Sequence, residues 1–549
     1  LAAIQKINKQ QIMKAFISLL TAFFFLSFIV KAQESAEQSD NPAKPARPAR
    51  HALHINLLRG PYLQVATAHS MVVRWRTDVL VKGVVHYGSA PDHLDKTATD
   101  SMQATEHKVK LSGLEPHTRY YYSVGSRQDT LQAGQDNYFV TLPLPGTEGH
   151  YRIACLGDCG NNSINQRAVR DQILHYLGNN YLDAWLLMGD NTYTYGRDVE
   201  FQSNFFNIYK DTLLKKYPMF PSPGNHDYND DRAAQDTHDI AYYQIFSMPV
   251  DGEAGGVASH NQAYYSYDLG NIHFLSLDSY GREENQRMYD TTGPQVQWIK
   301  KDLDAWQQSN QAGPNKKGWV IAYWHHPPYT MGSHSSDREM ELVHIRENFI
   351  RILERYGVDL VLCGHSHDYE RSKLIKGYYG MEASFNPSYL VNASSGLYDG
   401  TANSCPYIKD SASGYQGTVY VVSGSAGQLG GKQPSFPHDA LPYSDATHGG
   451  GGMLEVEGNR LDWKWVCADG EIRDHFTMMK NVNQQHQLSI HKGDSITLTA
   501  SFPGDGEWSY GKARATGQSI TVHPSSTTVY TVKDKLHCVE DRWEVKVTR

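Results

Sequence analysis

The chain has 549 residues, a length that by itself suggests roughly three to four domains. Its 51 Lys and Arg against 59 Asp and Glu give a formal charge of −8. No Lys/Arg cluster interleaved with aromatics is present, so composition argues against nucleic acid as a partner. Beyond one run near the start, no apolar stretch is long enough to cross a bilayer.

That run, Met13 to Ala32, reads M-K-A-F-I-S-L-L-T-A-F-F-F-L-S-F-I-V-K-A, with Val30 and Ala32 in small-residue positions ahead of Gln33. A lysine, an apolar stretch and such a site are the layout of a secretory signal peptide. Residues 1–32 are therefore expected to be a signal region with its native start at Met13, and the mature protein to be secreted or periplasmic. A retained membrane anchor is the alternative. Residues 33–54, rich in Pro, Ala and Ser, predict a linker.

From Ile55 to Pro145 short alternating runs succeed one another: Met71 to Arg76, Gly83 to Tyr87, His107 to Leu111 and Tyr120 to Val124. Turn residues separate them at sandwich spacing, so an all-β domain is expected over 55–145. The phrases R-G-P-Y-L-Q at Arg59, L-S-G-L-E-P-H-T-R-Y-Y-Y at Leu111 and F-V-T-L-P at Phe139 resemble a fibronectin type III module.

Strands then alternate with helices over 150–479, the pattern of an α/β fold. Ile153 to Leu156 ends in Gly157-Asp158-Cys159-Gly160, and a helix is expected from Gln166 to Leu177 with Gly178 as its stop. Ala184 to Met188 runs into Gly189-Asp190-Asn191-Thr192-Tyr193, and Pro218 to Pro223 into Gly224-Asn225-His226-Asp227. Trp319 to Trp324 delivers His325-His326-Pro327-Pro328; after an amphipathic helix over Val343 to Tyr356, Leu360 to Cys363 delivers Gly364-His365-Ser366-His367. Each motif alone has a dull explanation as a turn or loop. Together they place Asp, Asp, Tyr, Asn and His side chains at five strand ends, expected along one edge of one sheet.

Oxygen and imidazole donors without thiolate select hard to borderline metals such as Fe, Mn or Zn. They are too many for one ion. A bridging carboxylate, most naturally the central Asp190, would let them hold two ions about 3.5–4 Å apart, the arrangement used for in-line phosphoryl displacement.

The order G-D-x-G, G-D-x-x-Y, G-N-H-D, H-H-P, G-H-x-H resembles the calcineurin-like metallophosphoesterase superfamily, and Tyr193 resembles the iron-binding tyrosine of its purple acid phosphatase branch. The resemblance runs from about Ile55 to Met479. It implies a metallophosphoesterase core of mostly parallel strands and flanking helices, placed after the all-β domain. It implies Fe(III) held by Asp158, Asp190, Tyr193 and His367, and a second ion (Fe, Zn or Mn) held by Asp190, Asn225, His325 and His365. His226 matches the family's substrate-facing histidine. His334 falls close to where the branch places one or two more, whereas His326 is implied to be a neighbour and not a ligand.

The implied reaction is hydrolysis of phosphate monoesters by a hydroxide that the metal pair holds, with His226 and His334 contacting the phosphoryl oxygens or protonating the leaving group. The expected partner is a small phosphorylated substrate. A phosphodiesterase or nucleotidase on the same site is one alternative, and a surface-binding protein with a vestigial catalytic domain is another.

Gly380 to Ser413, rich in Ser, Asn, Tyr and Gly, is expected to form either a rim over the site or a solvated insertion. Leu461 to Val466 and Glu471 to Met478 read as closing strands. Over 480–549 the runs Leu488 to Ile490, Ser495 to Ala500, Ser519 to Val522, Thr527 to Val532 and Trp543 to Val547 predict a small all-β, immunoglobulin-like domain suited to a stalk, adhesion, or cell-surface or glycan contact. The six cysteines form no CxxC pair; Cys155 and Cys363 fall in buried strands, and a Cys405–Cys467 bridge is one pairing the exported context allows.

Overall fold

The computed structural model describes residues 54–310, 318–410, 414 and 416–549. The signal region and nearly all of the expected linker lie outside them. Among the described residues no helix is long and apolar enough to cross a membrane.

The first strands form two small antiparallel sheets. Leu57–Gln64, Ser70–Val81 and Ala104–Ser112 make one; Lys96–Thr99, Val84–Gly88, Arg119–Gly125 and Thr130–Gln132, with Tyr138–Val140, make the other. Alternation drives the pairing: Met71, Val73 and Trp75 are buried with Val85, Leu111 and Phe139. This domain is tied to the α/β core through Arg59 and Arg76, whose guanidiniums share the carboxylate of Asp198 at 2.8 and 2.5 Å.

The expectation of a single sheet is corrected by two seven-stranded mixed sheets. One runs Met219–Ser222, Ala184–Met188, His150–Leu156, Gly450–Glu457, Arg460–Cys467, Ile472–Lys480 and Tyr407–Lys409; the other runs Tyr265–Leu269, Ile272–Ser276, Trp319–Trp324, Leu360–Cys363, Val419–Ser423, Tyr369–Arg371 and Tyr443–Asp445. The physical reason is that the strands of the second sheet are apolar on both faces. Ile321, Tyr323, Leu360, Leu362, Val419 and Val421 pack into one core with Ile153, Leu186 and Leu454 of the first sheet. Their neighbours Val320, Ala322, Trp324, Val361 and Cys363 pack into another with Ile299, Leu303, Phe349 and Leu353 from the helical segments. Phe220 stacks on Tyr267 at 3.8 Å, sheet against sheet.

The helix Ile164–Leu177 is capped by Ser163, whose side chain accepts from Gln166 N, and ends at Gly178 with φ 58°. The segment expected as one helix over 343–356 is Met340–His344, a π-helical stretch Ile345–Phe349, and Ile350–Arg355.

At the C-terminal end, Gln485–His491, Glu540–Thr548, Thr528–Lys533, Gly506–Tyr510 and Ala513–Gly517 form a five-stranded sheet beside the pair Ile496–Thr499 and Ser519–Val522, around Trp508, Tyr530 and Trp543. The cysteine pairing is corrected: Cys405 is bonded to Cys538, and Cys467 is a buried free thiol. The insertion around Cys405 is thereby tied to the loop between Thr528–Lys533 and Glu540–Thr548, where Tyr398 Oη also donates to Asp534 at 2.7 Å.

Candidate metal centre

Five strand ends from the two sheets meet at one place. Asp158, Asp190 and His365 each come after a strand-ending glycine and each has positive φ, at 57°, 48° and 69°. Such backbone is strained for residues with a Cβ and persists where the surroundings over-determine it. The neighbouring glycines leave no room for a side chain: a Cβ on Gly224 would run into Asp190, and one on Gly364 into Asp158.

Asp158 and Asp190 are 0% and 1% exposed, and His325 is 0%. His325 Nδ1 lies 2.9 Å from the Met188 carbonyl, an acceptor, so Nδ1 carries the proton and a neutral ring presents a lone pair at Nε2. That lone pair faces Asn225 Oδ1 at 2.9 Å, His365 Nδ1 at 3.2 Å and Asp190 Oδ2 at 3.3 Å. The Asn225 amide orientation is set by Nδ2, which donates to Asp230 at 2.8 Å. The Asn225 and Asp190 oxygens are acceptors facing an acceptor, and with His365 Nε2 turned toward the Glu339 carboxylate at 3.5 Å its Nδ1 is left as a third, an arrangement that a cation reconciles. With only a proton to serve, burial works to lower the His325 pKa, yet Asp190 and Asp158 raise it to about 10. The residues fit a metal.

On the other side of Asp158, Tyr193 Oη lies 3.0 Å from Asp158 Oδ1 and 3.0 Å from His367 Nε2. Burial, then the carboxylates of Asp158 and Asp190, push the phenol well above the ordinary tyrosine range. An ionised Tyr193 needs a strongly charged cation beside it. Asp190 faces both groups, so the seven residues expected as ligands lie in one cluster around it.

His226 donates its backbone N–H to Asp190 Oδ1 at 2.9 Å, and its Nδ1 lies 2.8 Å from the Thr194 carbonyl, which leaves Nε2 as the available ring atom. His326 is buried, with Nδ1 2.9 Å from Ser279 Oγ, and burial lowers its pKa well below the usual histidine range. His334 stacks on His365 at 3.7 Å.

Three further contributions are not among the residues expected from sequence. Glu339 sits 2.9 Å from His334 Nδ1 and 3.5 Å from His365 Nε2, a carboxylate placed to orient both rings. Asp227, named only as part of its motif, accepts from Asn191 N and Nδ2 at 3.0 and 2.8 Å and from Gly224 N at 2.9 Å, joining the loops of Asp190 and Asn225. Arg287 and Tyr280 come from a loop beside His326. Only Asp227 carries a sequence signal, its place in G-N-H-D.

A paired-sheet α/β core whose strand ends gather buried carboxylates, imidazoles and an amide defines a metallophosphoesterase fold and site. Residues 151–369 match the calcineurin-like phosphoesterase family and residues 59–141 the purple acid phosphatase N-terminal domain. The chain thus carries a calcineurin-like phosphoesterase domain together with a purple acid phosphatase N-terminal domain, the pairing of the purple acid phosphatase branch. It is 30% identical to purple acid phosphatase 15 of Arabidopsis thaliana over 50% of this chain and 50% of that one. To purple acid phosphatase 21 of the same plant it is 25% identical over 75% of this chain and 82% of the relative. To human acid phosphatase type 7 it is 26% identical, over 65% and 75%. The chain spans 50% of purple acid phosphatase 15 and 58% of purple acid phosphatase 23, little more than half their length. The fold is that of purple acid phosphatase PPD1 from yellow lupin seeds, with a TM-score of 0.57 at 17% identity over 77% of this chain and 75% of the lupin chain.

Proposed function

We propose that this protein is an exported phosphatase that hydrolyses phosphate monoesters at two metal ions. The observation that carries the reading is the convergence of the Asn225 and Asp190 oxygens on the lone pair of His325 Nε2, with His365 Nδ1 beside them. Asp158, Asp190, Tyr193 and His367 would hold one ion, and Asp190, Asn225, His325 and His365 the other. Tyr193 favours Fe(III) at the first, because a phenolate is a hard anionic donor; the second takes Fe, Zn or Mn. When bound, two such ions acidify a water and offset charge on phosphoryl oxygens.

The chain's own residues supply the rest. Burial of the carboxylates and rings excludes bulk water and fixes the donors before substrate arrives. In the reaction a bond forms between phosphorus and the water oxygen, the ester P–O bond breaks, and the leaving oxygen takes up a proton. His226, through Nε2, and His334, held by Glu339, are the groups assigned to hydrogen-bond the phosphoryl oxygens or deliver that proton. The signal layout of Met13 to Ala32 supports export, and the phrases at Arg59, Leu111 and Phe139 support a fibronectin type III-like character for the N-terminal sandwich.

A panel of phosphate monoesters and diesters, assayed with metal-loaded protein, tests this. Monoester hydrolysis that stops on metal removal is expected. Turnover of diesters alone, or turnover indifferent to chelation, would overturn the reading.

A further inference from the structure

Beside the metal cluster the surface opens into a cleft of about 190 Å³ whose inner wall is Asn225, His326 and His365 and whose outer wall includes Tyr280, Arg232 and Arg287. Tyr280 lies parallel to His326 at 5.8 Å. The cleft thus joins the cluster to two guanidiniums, and a phosphoryl group seated at the ligands would send its alcohol portion along it.

The charges in this cleft are not balanced pairwise. Asp230 accepts from Asn225 Nδ2 at 2.8 Å, and Glu339 is occupied by His334 and by Ser335 N at 2.9 Å. Arg287 bonds only neutral oxygens through its guanidinium, the Tyr280 carbonyl at 3.3 Å and Gln235 Oε1 at 3.2 Å. Those contacts fix the fork without cancelling its charge. Arg232 is exposed, and among the described residues neither arginine is ion-paired. The cleft also holds three carboxylates, Asp230, Glu339 and Glu341, and among the described residues none of them is ion-paired to either guanidinium. A planar guanidinium with no ion-pair partner recognises a carboxylate or phosphate directly, through paired N–H donors.

We propose, resting on the phosphatase reading above, that Arg232 and Arg287 form a subsite for the leaving group, and that the substrates are phosphate monoesters whose alcohol portion carries a second anionic group, a carboxylate or another phosphate. Arg287 is the fixed element and Arg232 the adaptable one. Esters of uncharged alcohols occupy the same metal site but leave this subsite empty.

The test compares glycerol 3-phosphate, whose alcohol is neutral, with 3-phosphoglycerate, which adds a carboxylate, on metal-loaded wild type, Arg287→Ala, Arg232→Ala, the double variant and Arg287→Lys. The double variant is expected to lose about 10- to 100-fold in kcat/KM for 3-phosphoglycerate relative to glycerol 3-phosphate, the size of a lost charge-assisted contact, mostly through KM. Arg287→Lys should recover part of it, and added salt should narrow the gap in wild type only. Equal losses on both esters, or none on either while glycerol 3-phosphate is still hydrolysed, would overturn the subsite and leave the phosphatase reading standing. Failure of wild type to hydrolyse either ester would overturn both.

Discussion

His325 Nε2 lies 3.3 Å from Asp190 Oδ2, with its other ring nitrogen committed to the Met188 carbonyl. Asp190 also neighbours Tyr193, so one carboxylate serves both halves of the cluster. Asp190→Asn should therefore lose metal at both positions and nearly all activity, whereas Asn225→Ala should empty mainly the second. Metal analysis of each variant checks this. Two retained ions and most of the rate in Asp190→Asn would contradict the shared role.

The histidines should separate by surroundings. His226→Ala should keep its metals and lose roughly 10²- to 10⁴-fold in rate, the range for a positioned acid or hydrogen-bond donor. His326→Ala, which removes a buried ring bonded to Ser279, should do much less to the rate. Steady-state kinetics with metal content measured alongside decides, and equal rate losses with metals retained would reverse the assignment.

Asp227 holds two ligand loops by three hydrogen bonds. Asp227→Ala leaves their donors buried and unpaired, at about 1–3 kcal/mol each. The denaturation midpoint and the metal affinity should fall together. An unchanged midpoint would show that the loops hold their geometry without it.

His273 is buried between Asp268 and Asp302, at 2.7 and 2.6 Å. Burial works to lower its pKa, but Asp302 and Asp268 raise it from 6.5 to about 10. Because the folded value is the higher, this stabilisation is complete below about pH 6.5 and is lost as pH rises through about 10. Melting temperatures at constant metal load should decline over that window, and Asp302→Asn should bring the decline to lower pH. A wild-type profile that matches the variant's would exclude His273 as its source.

Much of the core was legible because its signals are local. A short apolar run, a glycine and a polar residue mark a strand end wherever they occur, so Asp158, Asp190, Asn225, His325 and His365 could be named before their strands were assigned to sheets. The sheets themselves depend on which distant strands pair, and an all-apolar run such as Trp319–Trp324 does not say which of its faces meets the other sheet. The same limit hid the Cys405–Cys538 bond, which joins residues 133 apart. Glu339 and Arg287 sit in stretches with no periodicity, and only the folded chain brings them to His365 and His326. The π-helical stretch Ile345–Phe349 keeps a helix-like apolar pattern, so its wider turn leaves no trace in the sequence. Gly506–Tyr510 and Ala513–Gly517 are not legible as strands because glycine and charged residues dilute their alternation.

Tyr193 carries the distinction between an iron-tyrosinate centre and a colourless one. The most direct test is to reconstitute wild type and Tyr193→Phe with iron under oxidising conditions, then record metal content and the visible spectrum. Two ions per chain and a violet charge-transfer band in wild type are predicted, with the band absent from Tyr193→Phe while the other ligands still hold metal. No band in iron-loaded wild type, or a band that survives Tyr193→Phe, would show that Tyr193 does not bind the metal and would contradict the assignment of the first site.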